Sequence, residues 1–181
     1  HASYAVILVK LERIPEAVKY ALKSFKKPDA TLVLAKALQE AAAHDDALKV
    51  AEAGLGLASD ADDETDGLVI PLAHWLRDYA GGIGKSALAL KAARAAFDHS
   101  LSLEDFRAVQ VWAGDAWNAI REDLLAHLAR APHAYDRTRI YLSEGLIDDA
   151  VRSVGERFGY GAHDETLMRV AAAAHTSHPD W

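Results

Sequence analysis

The sequence contains no cysteine, and it is poor in proline, glycine and aromatic residues. Its 181 residues include 5 prolines and 11 glycines, and Phe, Trp and Tyr together make up only 8%. The lack of cysteine excludes disulfides, thiolate zinc sites and cysteine nucleophiles. No apolar run reaches the roughly 18 residues that span a bilayer, and no signal-peptide pattern opens the chain. We therefore expect a cytoplasmic protein without a membrane partner.

Basic charge is in deficit as well. The chain has 20 Lys and Arg against 27 Asp and Glu, which gives a formal net charge of −7. Sequence-independent binding of DNA or RNA uses a basic face that neutralises phosphates, so this balance argues against such a function. The abundant residues are alanine, leucine and valine, within a hydrophobic fraction of 51%. Because alanine has the highest helix propensity, the predicted fold class is all-α.

A pattern of small and apolar residues recurs along the chain. Ala17, Ala47, Ala89 and Ala150 are each followed by an apolar residue at the next position, by Ala or Val after four, and by Phe or Leu after eight. This spacing places the matched residues on one face of a helix. A weaker copy begins at Ala116, so that consecutive copies start 30, 42, 27 and 34 residues apart. Helix-pair repeats have periods in this range.

A second periodic stretch precedes each copy, and we interpret it as the first helix of a pair. These stretches are residues 4–11, 32–42, 68–79, 106–113 and 137–146. Gly114, Gly145 and the pair Gly81-Gly82 are predicted to end such helices, since glycine favours the C-terminal cap. The acidic segment 59–67 is predicted to be a solvated loop between repeats.

Together these patterns predict a tetratricopeptide-like right-handed α-solenoid of about five helix pairs, in which neighbouring pairs share a core. We expect one helical-repeat domain over residues 1–181. Since the chain begins at His1 and not at Met, we also expect it to be a fragment of a longer protein.

Two short segments resemble ligand-binding loops. Residues 81–86, Gly-Gly-Ile-Gly-Lys-Ser, resemble the end of a phosphate-binding loop, but Tyr79 stands where its first glycine is required. The preceding stretch also has a helical and not a β pattern. Residues 62–67 resemble the start of a calcium loop, but Ala73 replaces the bidentate glutamate. We interpret both segments as ordinary turns and predict no cofactor.

The remaining titratable and aromatic residues suggest no active site. The nine histidines are scattered, and the closest group, His163, His175 and His178, lacks a zincin-type motif. No nucleophile-elbow pattern of glycines surrounds a serine. The tryptophans at 75, 112 and 117 fall among apolar residues, which favours core packing over base stacking. We predict neither a metal site nor catalytic residues.

Binding to a partner is the function that this composition leaves open. In solenoids of helix pairs, the extended concave surface binds partners, and the first helices commonly line it. Several polar side chains on the predicted first helices are cationic, and such a face would receive an acidic peptide. The candidate partner-binding residues are Lys36, Gln39, His74, Arg77, Arg107, Gln110, Arg137 and Arg139.

Four segments resemble a known family. They are residues 9–18 (VKLERIPEAV), 73–78 (AHWLRD), 141–151 (YLSEGLIDDAV) and 178–181 (HPDW). Together they are similar to the helical region that follows the zinc finger in bacterial and archaeal SWIM zinc-finger proteins. In that family three cysteines and a histidine bind zinc, and the finger is associated with DNA or protein binding. Because the chain has no cysteine, the resemblance implies a metal-free helical scaffold and carries over no ligand residue.

Three functions remain as hypotheses. The first is a non-enzymatic scaffold for protein–protein interaction. The second is a helical module that contributes to DNA or RNA association in a zinc-finger protein, which predicts a continuous basic stripe and binding that weakens steeply with salt. The third is a helical enzyme, which predicts a closed pocket with convergent titratable groups. The absence of any catalytic motif places the enzyme last.

Overall fold

The computed structural model describes residues 2–58, 63–131, 136–155 and 164–177, and helices are the regular structure in these ranges. This confirms the all-α prediction for the described residues. The α-helices are α1 Ala2–Lys10, α2 Ile14–Ser24, α3 Pro28–Glu40, α4 His44–Leu55, α5 Asp63–Gly82, α6 Ser86–Ser100, α7 Leu103–Ala113, α8 Trp117–Arg130, α9 Arg137–Ser143, α10 Ile147–Gly155 and α11 Asp164–Ser177. Short 3-10 turns lie at Gly56–Ala58 and Gly114–Ala116.

The chain divides into two compact units, His1–Ser100 and Leu101–Trp181. In the first unit, α1 packs on α2, α3 on α4 and α5 on α6, while α3 also contacts α1 and α5. Large aliphatic side chains from α3, α4 and α5 fill its centre, among them the fully buried Leu34, Leu38, Val50, Leu72 and Leu76. The expectation of a single domain over residues 1–181 stays a prediction.

Four turns between helices share one backbone geometry. Each contains a residue with φ between +58° and +76°, namely Glu12, Ala42, Gly84 and Gly145. The N–H of this residue donates to the carbonyl three positions earlier, and the next N–H donates to the carbonyl five positions before itself, at 2.8–3.2 Å. This pair of bonds is the Schellman motif, which satisfies the carbonyls left free at a helix end. The following helix starts two residues after the positive φ in all four cases.

The small residues singled out in the sequence occupy equivalent positions after these turns. Ala17, Ala47, Ala89 and Ala150 are each fully buried. The N–H of each donates to the carbonyl four residues earlier, which belongs to the residue just past the positive φ. An alanine here lets the second helix approach its neighbours closely. Ala116 differs, because it is exposed and belongs to the 3-10 turn that precedes α8.

Two predicted helix boundaries need correction. The loop expected over residues 59–67 is wrong for Asp63–Gly67, which form the first turns of α5, while residues 59–62 lie outside the described part of the chain. Acidic residues interact favourably with the free N–H groups at a helix start, so the acidic composition that suggested a loop is compatible with a helix N-terminus. Gly81 and Gly82 belong to α5, and the capping glycine with positive φ is Gly84.

The second unit is organised around the fully buried Phe106, Val109, Leu124, Leu128 and Ile140. Polar contacts join its helices at their ends. The carboxylate of Asp136, just before α9, accepts a hydrogen bond of 2.9 Å from the N–H of Leu103 at the start of α7. Arg121 of α8 forms an ion pair with Glu144, which caps α9. These contacts satisfy backbone groups at helix ends and fix the spacing of α7, α8 and α9.

Candidate functional site

Helices α3, α4 and α5 of the first unit carry a group of half-buried or exposed aromatic and polar side chains, which we call the aromatic cluster. It consists of Gln39, His44, Trp75 and Tyr79. The packing of α3 against α5 brings Gln39 to Trp75, whose indole N–H donates to the Gln39 Oε1 atom at 3.3 Å. This bond gives the half-buried indole a hydrogen-bond acceptor, as Trp N–H groups usually have when they are buried.

The rings of the aromatic cluster contact one another. Trp75 and Tyr79 are four residues apart in α5, and their ring centroids lie 5.0 Å apart with an interplanar angle of 30°. The Tyr79 hydroxyl is hydrogen-bonded to Nδ1 of His44, the first residue of α4. Trp75 and Tyr79 rest on the core of the first unit and are half-buried, whereas His44 is exposed. The result is a surface patch in which aromatic and polar side chains contact one another and are partly open to solvent.

The four predicted partner-binding residues of the first unit have different environments. Lys36 is exposed on α3, and Gln39 is in the aromatic cluster. His74 is half-buried on α5 beside Trp75 in sequence. Arg77 is 17% exposed and its Nε donates to Asp78 Oδ1 at 2.7 Å. The structure therefore brings Gln39 to the aromatic cluster and holds the Arg77 guanidinium against a neighbouring carboxylate.

The four predicted residues of the second unit also fall into two groups. Arg107 and Gln110 are exposed on α7. Arg139 forms an ion pair of 2.8 Å with Asp136, and the guanidinium of Arg137 donates to the carbonyl of Ala131. The guanidiniums of α9 thus have intramolecular partners, whereas Arg107 and Gln110 extend from the surface of α7.

Sequence reasoning assigned Trp75 to the core and did not select Tyr79 or His44. Trp75 does pack on the core, but part of its ring stays at the surface. The spacing of Trp75 and Tyr79 by four residues was a signal for a shared helix face. The approach of His44 could not be read from the sequence, because it depends on how α4 packs against α5.

The segments that resembled ligand loops lie in helical surroundings. Residues 81–86 join α5 directly to α6, whereas a phosphate-binding loop follows a β-strand. Residues 63–67 are helical, and Asp62 lies outside the described residues. Within the part of the chain that the structure describes, no three His, Asp or Glu side chains are grouped as metal ligands. His163 and His178 fall outside that part.

No described helix is both long and apolar enough to cross a membrane. Comparison with known proteins gives no match to a family model, a curated protein or a solved structure.

Proposed function

We propose that this chain is a non-enzymatic scaffold for protein–protein interaction, built from stacked helical hairpins of the tetratricopeptide-like kind. The observation that supports this function is the aromatic cluster, in which Trp75 and Tyr79 are stacked, hydrogen-bonded and partly open to solvent. Fold alone does not identify a function, so this surface is the main support for the proposal.

Aromatic side chains of this kind favour protein recognition. Trp and Tyr are enriched among the residues that contribute most binding energy in protein interfaces. They provide a large contact area with few rotatable bonds, and here they are hydrogen-bonded to Gln39 and His44. Binding a partner would therefore cost little conformational entropy in these two side chains. The exposed Lys36 lies one helical turn before Gln39 on α3 and would then attract an acidic group of the partner.

The geometry of the turns between helices also supports the proposed scaffold function. Four Schellman turns, at positions 12, 42, 84 and 145, start the next helix in the same relation to the preceding one. A solenoid is built by repeating such hairpins, and the resemblance to the helical region of SWIM zinc-finger proteins implies the same architecture. Both the right-handed solenoid and the family membership are proposals that agree with these turns.

Site-specific photo-crosslinking tests the proposed function. A photoreactive amino acid replaces Lys36, and the chain is expressed in its source cells, irradiated and purified under denaturing conditions. A control carries the same amino acid in place of Lys85, which is exposed in the turn between α5 and α6. We expect a small set of proteins to be crosslinked from position 36 and not from position 85.

A pair of tryptophan substitutions then tests whether the crosslink depends on the aromatic cluster. Trp75→Ala should reduce the specific crosslink from position 36 by about tenfold or more, because alanine substitution at an interface hot spot costs about 2 kcal/mol. Trp117→Ala removes an indole of α8 that packs edge-on against Phe106 at 5.3 Å, and it should leave the crosslink intact. Crosslinking of nucleic acid from position 36, or equal capture from both positions, would contradict the proposal.

A further inference from the structure

A second surface of the first unit combines an apolar floor with unpaired positive charge. It is a groove of about 570 Å³ between α2 and α4. Pro15, Val18 and Leu22 line it from α2, at spacings of three and four residues that align them along one helix face. Val18 is 6% exposed and forms the floor, while Leu22 is 46% exposed at the side. Grooves of this volume accommodate several side chains of a ligand.

Three lysines surround this apolar floor. Lys19 and Lys23 of α2 and Lys49 of α4 line the groove and are exposed. None of the three makes an ion pair with another residue that the structure describes. One carboxylate, Asp46, also lines the groove, so positive charge exceeds negative charge around it.

Two of the lysines, Lys19 and Lys23, lie in a segment whose net charge is positive, opposite to that of the whole chain. Residues 10–27 carry six basic and two acidic side chains, whereas the whole chain has a net charge of −7. Within this segment Arg13 and Glu16 neutralise each other through a hydrogen bond of 2.8 Å from the Arg13 Nε atom to Glu16. Lys19 and Lys23 lie one turn apart on one face of α2, and like charges at this spacing repel each other. An acidic ligand would relieve that repulsion.

We propose that the groove between α2 and α4 binds an acidic amphipathic helix of a partner protein. Its apolar residues would contact Val18 and Leu22, and its carboxylates would pair with Lys19, Lys23 and Lys49. A groove between two helices fits the ridge of a third helix. The buried floor at Val18 favours a protein ligand over a bilayer, because side chains can enter the groove and a flat membrane surface cannot. This proposal rests on the proposed scaffold function and adds a second binding surface to it, since the groove shares no residue with the aromatic cluster.

A peptide titration tests the groove directly. The probe is a fluorescein-labelled helical peptide of about 16 residues, with leucines at helical spacing and glutamates beside them. A matched peptide has lysine in place of every glutamate. Binding to the purified full chain is followed by fluorescence polarisation at about 50 mM and about 500 mM salt. We expect the glutamate peptide to bind, the lysine peptide not to bind, and high salt to weaken the complex.

Variants of the chain identify the binding surface. The double substitution Lys19→Glu and Lys23→Glu should weaken binding of the glutamate peptide about tenfold, and Leu22→Ser should weaken it about fivefold. Lys85→Glu reverses one lysine charge in the turn between α5 and α6 and should have no effect. If Leu22→Ser lowers helicity by circular dichroism, Lys49→Glu on α4 takes its place, with an expected loss of about threefold.

Three results would overturn the groove as a site for an acidic helix. The first is equal binding of the glutamate and lysine peptides. The second is undiminished binding to the Lys19→Glu, Lys23→Glu double variant. The third is tighter binding of a DNA duplex or of vesicles containing phosphatidylserine than of the glutamate peptide, which would make the lysines a general anion surface. None of these results depends on crosslinking from position 36, so the two proposals fail separately.

Discussion

Gly54 is the residue at which three helices of the first unit meet. A Cβ atom placed on Gly54 of α4 would lie 2.2 Å from the Thr31 Oγ1 atom of α3 and 2.7 Å from the Leu72 Cδ2 atom of α5. Thr31 is 3% exposed, and its hydroxyl donates to the carbonyl of Pro28 at 2.6 Å. Neither neighbour is at the surface, so neither can move away without disturbing its own helix.

We therefore expect Gly54→Ala to destabilise the protein by about 1–3 kcal/mol, the usual cost of overpacking a core. The gain in helix propensity, about 1 kcal/mol from glycine to alanine, acts in the opposite direction and is smaller than the steric cost. Urea denaturation followed by far-UV circular dichroism measures the change. Gly82→Ala is the matched control, since a Cβ there meets open space at the end of α5. It should leave stability unchanged or raise it by at most about 1 kcal/mol, and equal destabilisation by the two substitutions would contradict this expectation.

The connection between helices is the element that recurs in this chain. Two of the four Schellman turns have glycine at the positive φ, Gly84 and Gly145, and the other two have Ala42 and Glu12. A residue with a Cβ pays about 1–2 kcal/mol for the left-handed conformation, whereas glycine adopts it without strain. Glycine in turn loses more backbone entropy on folding, which offsets part of that difference.

Exchanging the residues at these turns should therefore change stability in opposite directions. Ala42→Gly should stabilise the protein by about 0.5–1 kcal/mol, and Gly145→Ala should destabilise it by a similar amount. Both positions are exposed, and a Cβ at Gly145 meets no neighbour, so packing does not interfere. Thermal or urea denaturation of the two variants provides the measurement. The expectation fails if Ala42→Gly is destabilising while its far-UV spectrum is unchanged.

The elements were predictable to the extent that they follow periodicity. The buried alanines at 17, 47, 89 and 150 define helix faces, and each of those positions lies where the pattern placed it. The copy at Ala116 was weak in sequence, and its turn differs, with a 3-10 segment at Gly114–Ala116. The acidic composition of Asp63–Gly67 led to the wrong prediction of a loop there, because acidic residues are common both in loops and at helix starts.

The aromatic cluster was predictable only in part. Gln39 was selected because it is polar and lies on a predicted first helix, and the structure adds its bond to Trp75. Trp75 and Tyr79 share a helix face that periodicity reveals, but a hydrophobic pattern does not distinguish a buried indole from a half-exposed one. The contact between His44 and Tyr79 joins residues that are 35 positions apart, and such pairs follow from helix packing alone.

For the molecule as a whole, the division into two units predicts where a local perturbation spreads. The helix that carries Gly54, α4, packs against α2, α3, α5 and α6, all within the first unit. In an array of helix pairs, each pair contacts mainly its neighbours, so local opening depends on local packing. Destabilising α4 should therefore act first on the helices that touch it.

Hydrogen-exchange mass spectrometry of Gly54→Ala measures this spread along the chain. We expect amide exchange to rise in α3, α4 and α5, by about fivefold to about 150-fold if the local opening free energy falls by about 1–3 kcal/mol. Exchange in α9 and α10 of the second unit should stay as in the parent. Gly82→Ala should leave both regions unchanged. An equal rise in both units would show that the chain opens cooperatively, as a single domain over residues 1–181 would, and the local response predicted here would be wrong.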